Sequence, residues 1–303
     1  MKRLAHIARR ERFDPPGVAA ALCLMLILGV NQVLIKLVNV GLQPVFQAGL
    51  RSLLAIVPVV LLARWFDRSL ALPAASRTPA LICGLLFSAE FLLMFLALDY
   101  TAVSRASILF YTQPVWVALA AHVLIPGERL GSAQVAGLCL ALGGVVLALA
   151  DPVAAADVGV RLGDIMSLAG ALCWAGIAIV LRTTAFDQTG PEMQLIVQLA
   201  ISALVLLTAS LFFGPWVRAL TLAHVGMIGF QVIGVVTLGF LGWLWLVRIY
   251  PASQLAAFNF LVPVFGVIGG VLVLGEPLSW RVIVALALVV AGIALVNRGG
   301  ARR

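Results

Sequence analysis

Charge is scarce in this chain. Asp, Glu, Lys and Arg make up 11% of its 303 residues, apolar types make up 63%, and the mean hydropathy is +1.14. A soluble domain runs near 25% charged and about 45–50% apolar, so a soluble globule is excluded. Histidine is thin too: His6, His122 and His224 are scattered between the N-terminus and predicted span ends. No Cys–His spacing suits a metal, and no glycine-rich loop runs into Lys-Ser or Lys-Thr to cradle a nucleotide. An enzyme, a metal or other cofactor, and ATP-driven work by this chain alone are therefore not expected. The four cysteines, Cys23, Cys83, Cys139 and Cys173, fall inside apolar runs, where a thiol packs as a small apolar group and no disulfide is expected. Ten-residue segments of alternating polarity, the mark of a membrane barrel, are missing as well.

What the chain does have is long apolar runs. A hydrocarbon core of about 30 Å takes about 20 residues of helix, and runs of that length cover 18–38, 44–64, 79–98, 102–124, 132–150, 162–181, 192–213, 222–247, 252–274 and 280–297. The expected fold is an all-α polytopic membrane protein with ten transmembrane helices. Short connections make neighbours antiparallel. The longer stretch Asp151–Arg161 is the natural seam between a first half, 1–150, and a second half, 151–303. Met1–Asp14 is basic, but the run from Val18 is too long for a signal-peptide core and is expected to stay attached.

The two halves repeat one another. Pro114, Gly127-Glu128 and Gly144 are matched in order by Pro263, Gly275-Glu276 and Gly292, and Glu128 to Gly144 and Glu276 to Gly292 are both 16 residues. Pro44, Gln47 and Arg51 align with Pro191, Gln194 and Gln198 at a constant offset of 147. Arginine and lysine set the orientation. With both termini in the cytoplasm, fourteen basic residues fall inside and five, Lys36, Arg105, Arg161, Arg218 and Arg281, fall outside, with Arg51 within helix two. The net charge of +8 thus reads as topology, with contact to anionic lipid a by-product, and not as nucleic-acid binding. Five spans per half make the second copy inverted, an architecture that recurs in transporters with a central site.

Several short motifs carry a family resemblance. They are Gly29-Val30-Asn31 followed by Lys36, Ala48-Gly49-Leu50-Arg51, Tyr100-Thr101, Ala106-Ser107, Gln113-Pro114-Val115 and Gly127-Glu128-Arg129. The second half adds Gly163-Asp164, Ala171-Leu172-Cys173-Trp174-Ala175, Leu261-Val262-Pro263-Val264 and Leu274-Gly275-Glu276-Pro277. Together they resemble the ten-helix drug/metabolite transporter superfamily members built from two EamA domains, with Leu28 standing where the family pattern has Trp. The resemblance implies a multi-pass protein of the bacterial inner membrane that exports a small-molecule substrate, a polar metabolite such as an amino acid. An uncoupled facilitator, a channel and a multidrug efflux carrier are the competing readings.

Polar residues inside hydrocarbon are functional candidates by default. Glu90 is the one carboxylate well inside a predicted span, and Arg51 lies within about 3 Å of it in depth at a rise of about 1.5 Å per residue. Two readings stand side by side: a static Glu90–Arg51 pair, or Glu90 as a protonatable group coupling protons to transport. Gln47 and Arg51 on helix two, and Gln194, Gln198 and Ser202 on helix seven, form stripes at helical spacing. Facing each other, they would line a midplane cavity or serve as interhelical glue. The resemblance adds Asn31 and Lys36 to that cavity, against a bland reading in which Lys36 snorkels to water. Gln113 and Asn259 flank the helix hinges expected at Pro114 and Pro263, where a proline frees the carbonyls of Phe110 and Asn259. Trp174 is one of several aromatics placed to wall the cavity. Glu128 and Glu276 are expected at helix ends.

Overall fold

The computed structural model describes residues 14–125, 130–150, 157–250, 258–259 and 261–300, with the side chains of 241, 244, 245, 247, 248 and 297–300 left aside. Gly127, Glu128, Arg129, the seam at 151–156, the start of the ninth predicted span, Phe260 and the basic terminal residues lie outside the described residues.

Eight helical stretches are long and apolar enough to cross a membrane, with Val103–Leu124 and Leu222–Gly239 each counted as one, and two shorter apolar helices, Leu261–Leu274 and Trp280–Val296, fall on the ninth and tenth predicted spans. In chain order the helices are α1 (Pro15–Gly41), α2 (Pro44–Trp65), α3 (Arg77–Tyr100), α4 (Val103–Phe110), α5 (Gln113–Leu124), α6 (Ser132–Leu149), α7 (Val158–Thr183) and α8 (Pro191–Ser210). They continue with α9 (Leu222–Phe230), α10 (Phe240–Ile249), α11 (Leu261–Leu274) and α12 (Trp280–Gly300). A π-helical stretch, Gln231–Gly239, joins α9 to α10.

The helix starts follow from local chemistry. Proline opens α1, α2 and α8, where its missing N–H is no loss. Asp14 Oδ1 accepts the Gly17 N–H at 3.1 Å, and Asp157 Oδ1 accepts the Gly159 N–H at 2.7 Å, each satisfying a first-turn donor. Gln43 caps α2 by accepting the Phe46 N–H at 3.0 Å. Its own amide donates to the Ser210 and Gly214 carbonyls at 2.9 and 2.8 Å, so the first hairpin is tied to the far end of α8.

Within the Val103–Leu124 span, Pro114 sits in the first turn of α5, after a two-residue break at Tyr111 and Thr112. Thr112 Oγ1 donates to the Leu109 carbonyl at 2.6 Å and accepts from Trp116 Nε1 at 3.0 Å, which seals the break. The Asn259 carbonyl accepts the Val262 N–H at 3.2 Å and is not left open.

Glycines set the closest helix approaches. The α6–α12 crossing is backbone on backbone: a Cβ on Gly137 would lie 2.6 Å from the Gly292 carbonyl oxygen, and one on Gly144 would lie 2.8 Å from the Ala285 carbonyl oxygen. Gly137 and Ala285 are 148 residues apart, as are Gly144 and Gly292, so the two contacts exchange partners as a two-fold related pair does. The same pattern runs outward: α1 packs on α11, α4 on α7, and α4 on α11. Apolar side chains such as Leu53, Val57, Leu61, Leu204, Leu238 and Leu272 face outward, as a lipid-facing surface requires.

Candidate functional site

Arg51 and Glu90 lie beside a packed core built from α1, α2, α3, α4, α7 and α8 around Val45, Ala48, Phe95, Phe110, Ala171 and Leu206. Arg51 is 3% exposed and Glu90 is 4% exposed. No ion pair within 4 Å joins them, although each lies in the other's electrostatic field. The guanidinium rests instead on two rings of α3, 4.3 Å from the Phe91 centroid and 4.7 Å from the Phe95 centroid. Cation–π contacts in a desolvated setting contribute about 2 kcal/mol. Arg51 Nε and Glu90 Oε2 make no hydrogen bond, and neither amide atom of the fully buried Gln47, one turn before Arg51, has a partner. Tyr111 and Cys173 share the field of Glu90. A static Arg51–Glu90 salt bridge is therefore not what the structure contains; the two charges share a site without direct contact.

The other residues singled out above divide into those near this cluster and those used elsewhere. Asn31 Oδ1 and Gln113 Oε1 are buried without partners on half-buried side chains of α1 and α5. Next to Asn31, Gln32 accepts a hydrogen bond from Ser107 at the meeting of α1 and α4. Gln198 is buried, and its amide donates back to the Gln194 carbonyl at 3.2 Å. Gln194 departs from the expectation: its amide donates to the Phe186 and Thr189 carbonyls at 2.8 and 3.0 Å and stitches the turn before α8. Helices α2 and α8 do meet at Ser202 of the helix-seven stripe, but its partner is Ser52, next to Arg51 and off the helix-two stripe, with the two hydroxyls 3.1 Å apart. Trp174 is 38% exposed and belongs to none of the packed cores. Asn259 is half-buried just ahead of α11, and Pro263 is buried within it.

Lys36 lies near the end of α1 and donates to the Thr101 carbonyl at 2.5 Å, in the fields of Glu276 and Asp99. That end of the bundle is densely tied. The Glu276 carboxylate accepts the first N–H groups of α4, from Val103 at 2.6 Å and Ser104 at 2.9 Å. Arg105 and Asp164 form a buried ion pair between α4 and α7, with Thr101 Oγ1 donating to Asp164 at 2.9 Å. Arg218 reaches Asp99 at 3.0 Å and the Asn39 carbonyl at 3.0 Å. At the opposite end Tyr250 donates to Asp14, and Arg68 pairs with Glu192 at 3.4 Å.

Sequence reasoning missed three participants. Arg105 counts above only toward the outer-side charge but is buried in its pair with Asp164. Asp164 is visible only as part of a short motif. Gln231 is fully buried at the start of the π-helical stretch with both amide atoms unpartnered. A lone glutamine between Gly229 and Gly234 in an apolar run was the available signal.

The EamA-like transporter family model matches residues 15–150 and again 161–298. An uncharacterized transporter, YvbV, of Bacillus subtilis is 26% identical over 284 residues, covering 90% of this chain and 89% of that protein. A probable amino-acid metabolite efflux pump of Escherichia coli is 26% identical over 284 residues, covering 90% and 92%. A solved crystal structure superposes with a TM-score of 0.67 at 21% identity over 95% of this chain and 99% of that one, which shows a shared fold. With two matched copies covering nearly the whole chain, the protein belongs to the EamA-like transporter family, a family of membrane transporters and not of enzymes.

Proposed function

We propose that this protein is a secondary transporter that exports small polar metabolites of the amino-acid type across a bacterial inner membrane by alternating access. Ten spans form two inverted five-helix repeats, 1–150 and 151–303, with both termini cytoplasmic. The family and the efflux-pump relatives support the class. The exchanged contacts of Gly137 with Gly292 and Gly144 with Ala285 support the inverted pairing, and the excess of basic residues on the terminal side supports the orientation.

One observation carries the reading: Arg51 and Glu90, both almost wholly buried among apolar spans, have no hydrogen-bond partner for Nε and Oε2. An intramembrane charge costs a few kcal/mol on insertion scales, so a group held there without a partner is one that meets a partner during the working cycle. The cavity of this reading is formed by Arg51, Gln47, Gln113, Asn31 and Gln198, with Glu90 as the proton-coupling group. Gln194, Trp174 and Lys36 stand at its margins. Pro114 and Pro263 mark the helix breaks about which the halves move.

Counterflow in proteoliposomes tests the class: saturable exchange of radiolabelled amino acids is expected, and conductance at channel rates would overturn the carrier. Glu90→Gln tests the coupling. Its transport should no longer respond to an imposed pH gradient, and an unchanged response in folded protein removes Glu90 from that role.

A further inference from the structure

Buried charge elsewhere in the described residues is matched locally. Asp164 pairs with Arg105, of which Nη1 alone is left unbonded, Glu192 has Arg68, and the half-buried Glu276 has the N–H groups of Val103 and Ser104. Arg51 and Glu90 break that habit together. They carry opposite signs, share one field beside the same packed core, and make no ion pair within 4 Å, while the Phe91 and Phe95 rings take the guanidinium at 4.3 and 4.7 Å. Gln47, a turn before Arg51 on the same helix face, adds an amide whose donor and acceptor are both unused.

Two opposite buried charges that leave each other unpaired select a ligand by charge. A monovalent cation would satisfy Glu90 and leave Arg51 without an anion; a monovalent anion would do the reverse. A ligand with one anionic and one cationic group a bond or two apart satisfies both and leaves the site neutral. Resting on the transporter reading above, we infer that Arg51 and Glu90 form a split zwitterion site. The substrate carboxylate lies on the Arg51 guanidinium with the Gln47 amide beside it, and the substrate ammonium lies on Glu90. The planar guanidinium suits a carboxylate because it offers two parallel donors. A site in which Glu90 simply holds a proton would be monocationic, and would prefer anions.

The test uses the full chain in proteoliposomes. Each of the twenty common L-amino acids is assayed by counterflow, and the best is then competed against by its amide, a cation, and by its N-acetyl derivative, an anion. The wild-type protein should bind both blocked forms at least 10-fold more weakly than the parent. In Arg51→Gln the amide should compete as well as the parent, and in Glu90→Gln the N-acetyl form should. A blocked form that competes equally in the wild type overturns the split site without need of any variant, and so does an equal loss of all three in a folded variant. If none of the twenty exchanges while a purely cationic or anionic solute does, the zwitterion site is wrong and the transporter stands. If no solute exchanges, both are wrong.

Discussion

The carboxylate of Glu276, in the connection after α11, closes on the N-terminus of α4 through the Val103 N–H at 2.6 Å and the Ser104 N–H at 2.9 Å. The bond joins the second half of the chain to the first. A carboxylate at a helix N-terminus satisfies orphan donors and complements the helix dipole, so Glu276→Ala should cost about 1 kcal/mol in detergent thermal melts. It should also raise the labelling of a Ser104→Cys reporter by an impermeant maleimide. Gly270→Ala should reproduce both effects, because its Cβ would fall 2.5 Å from Glu276 Oε2. Unchanged labelling in both variants would show that this carboxylate does not hold the end closed.

Arg105 and Asp164 should behave as a unit. Removing one partner of a buried pair costs about 3–5 kcal/mol, whereas apolar replacement of both is often neutral. Arg105→Met and Asp164→Leu alone should each lower the melting temperature sharply, and the double variant should recover most of the loss. A double-mutant cycle that comes out additive would contradict the pairing.

The α6–α12 crossing should tolerate no added atom. At Gly137 a Cβ would stand 2.6 Å from the Gly292 oxygen, and at Gly292 it would stand 2.5 Å from the Gly137 oxygen. Gly137→Ala and Gly292→Ala should each cost about 1–3 kcal/mol through overpacking. Gly226→Ala, with nothing within 4 Å of the added carbon, serves as the neutral control. The share of monodisperse protein after gel filtration reads all three.

Ser52 and Gln194 should matter for packing and not for selectivity. The Ser52–Ser202 contact is one interhelical hydrogen bond, a type that averages about 0.6 kcal/mol in membrane proteins. Ser52→Ala should therefore leave the rank order of transported solutes intact, as should Gln194→Ala, which loosens only the 186–189 turn. A change in that order would place Ser52 in the cavity and return Gln194 to it.

Hydropathy reads depth in a membrane, and depth was enough to find the apolar spans and to bring Arg51 level with Glu90. It does not read azimuth. Gln194 and Gln198 look equivalent on a helical stripe, yet Gln194 is claimed by the Phe186 carbonyl, while Gln198 turns back on its own helix. Arg105 looks like an ordinary outer-side charge until the folded chain brings Asp164 from 59 residues away. Proline at 114 sits inside the first turn of α5, and the break lies ahead of it at Tyr111–Thr112, where the Thr112 hydroxyl donates to the Leu109 carbonyl, a local contact that the proline alone does not reveal. The π-helical stretch at Gln231 has no distinct signal in an apolar run with regular glycines.

Gln43 has a consequence for how the protein is made. Its amide needs the carbonyls of Ser210 and Gly214, and its backbone N–H needs Trp216, some 170 residues downstream. The hairpin of α1 and α2 is synthesised first but can satisfy only part of its own turn. During translation the Gln43 amide and N–H stay with water at the membrane surface until residues 210–218 emerge to close the turn.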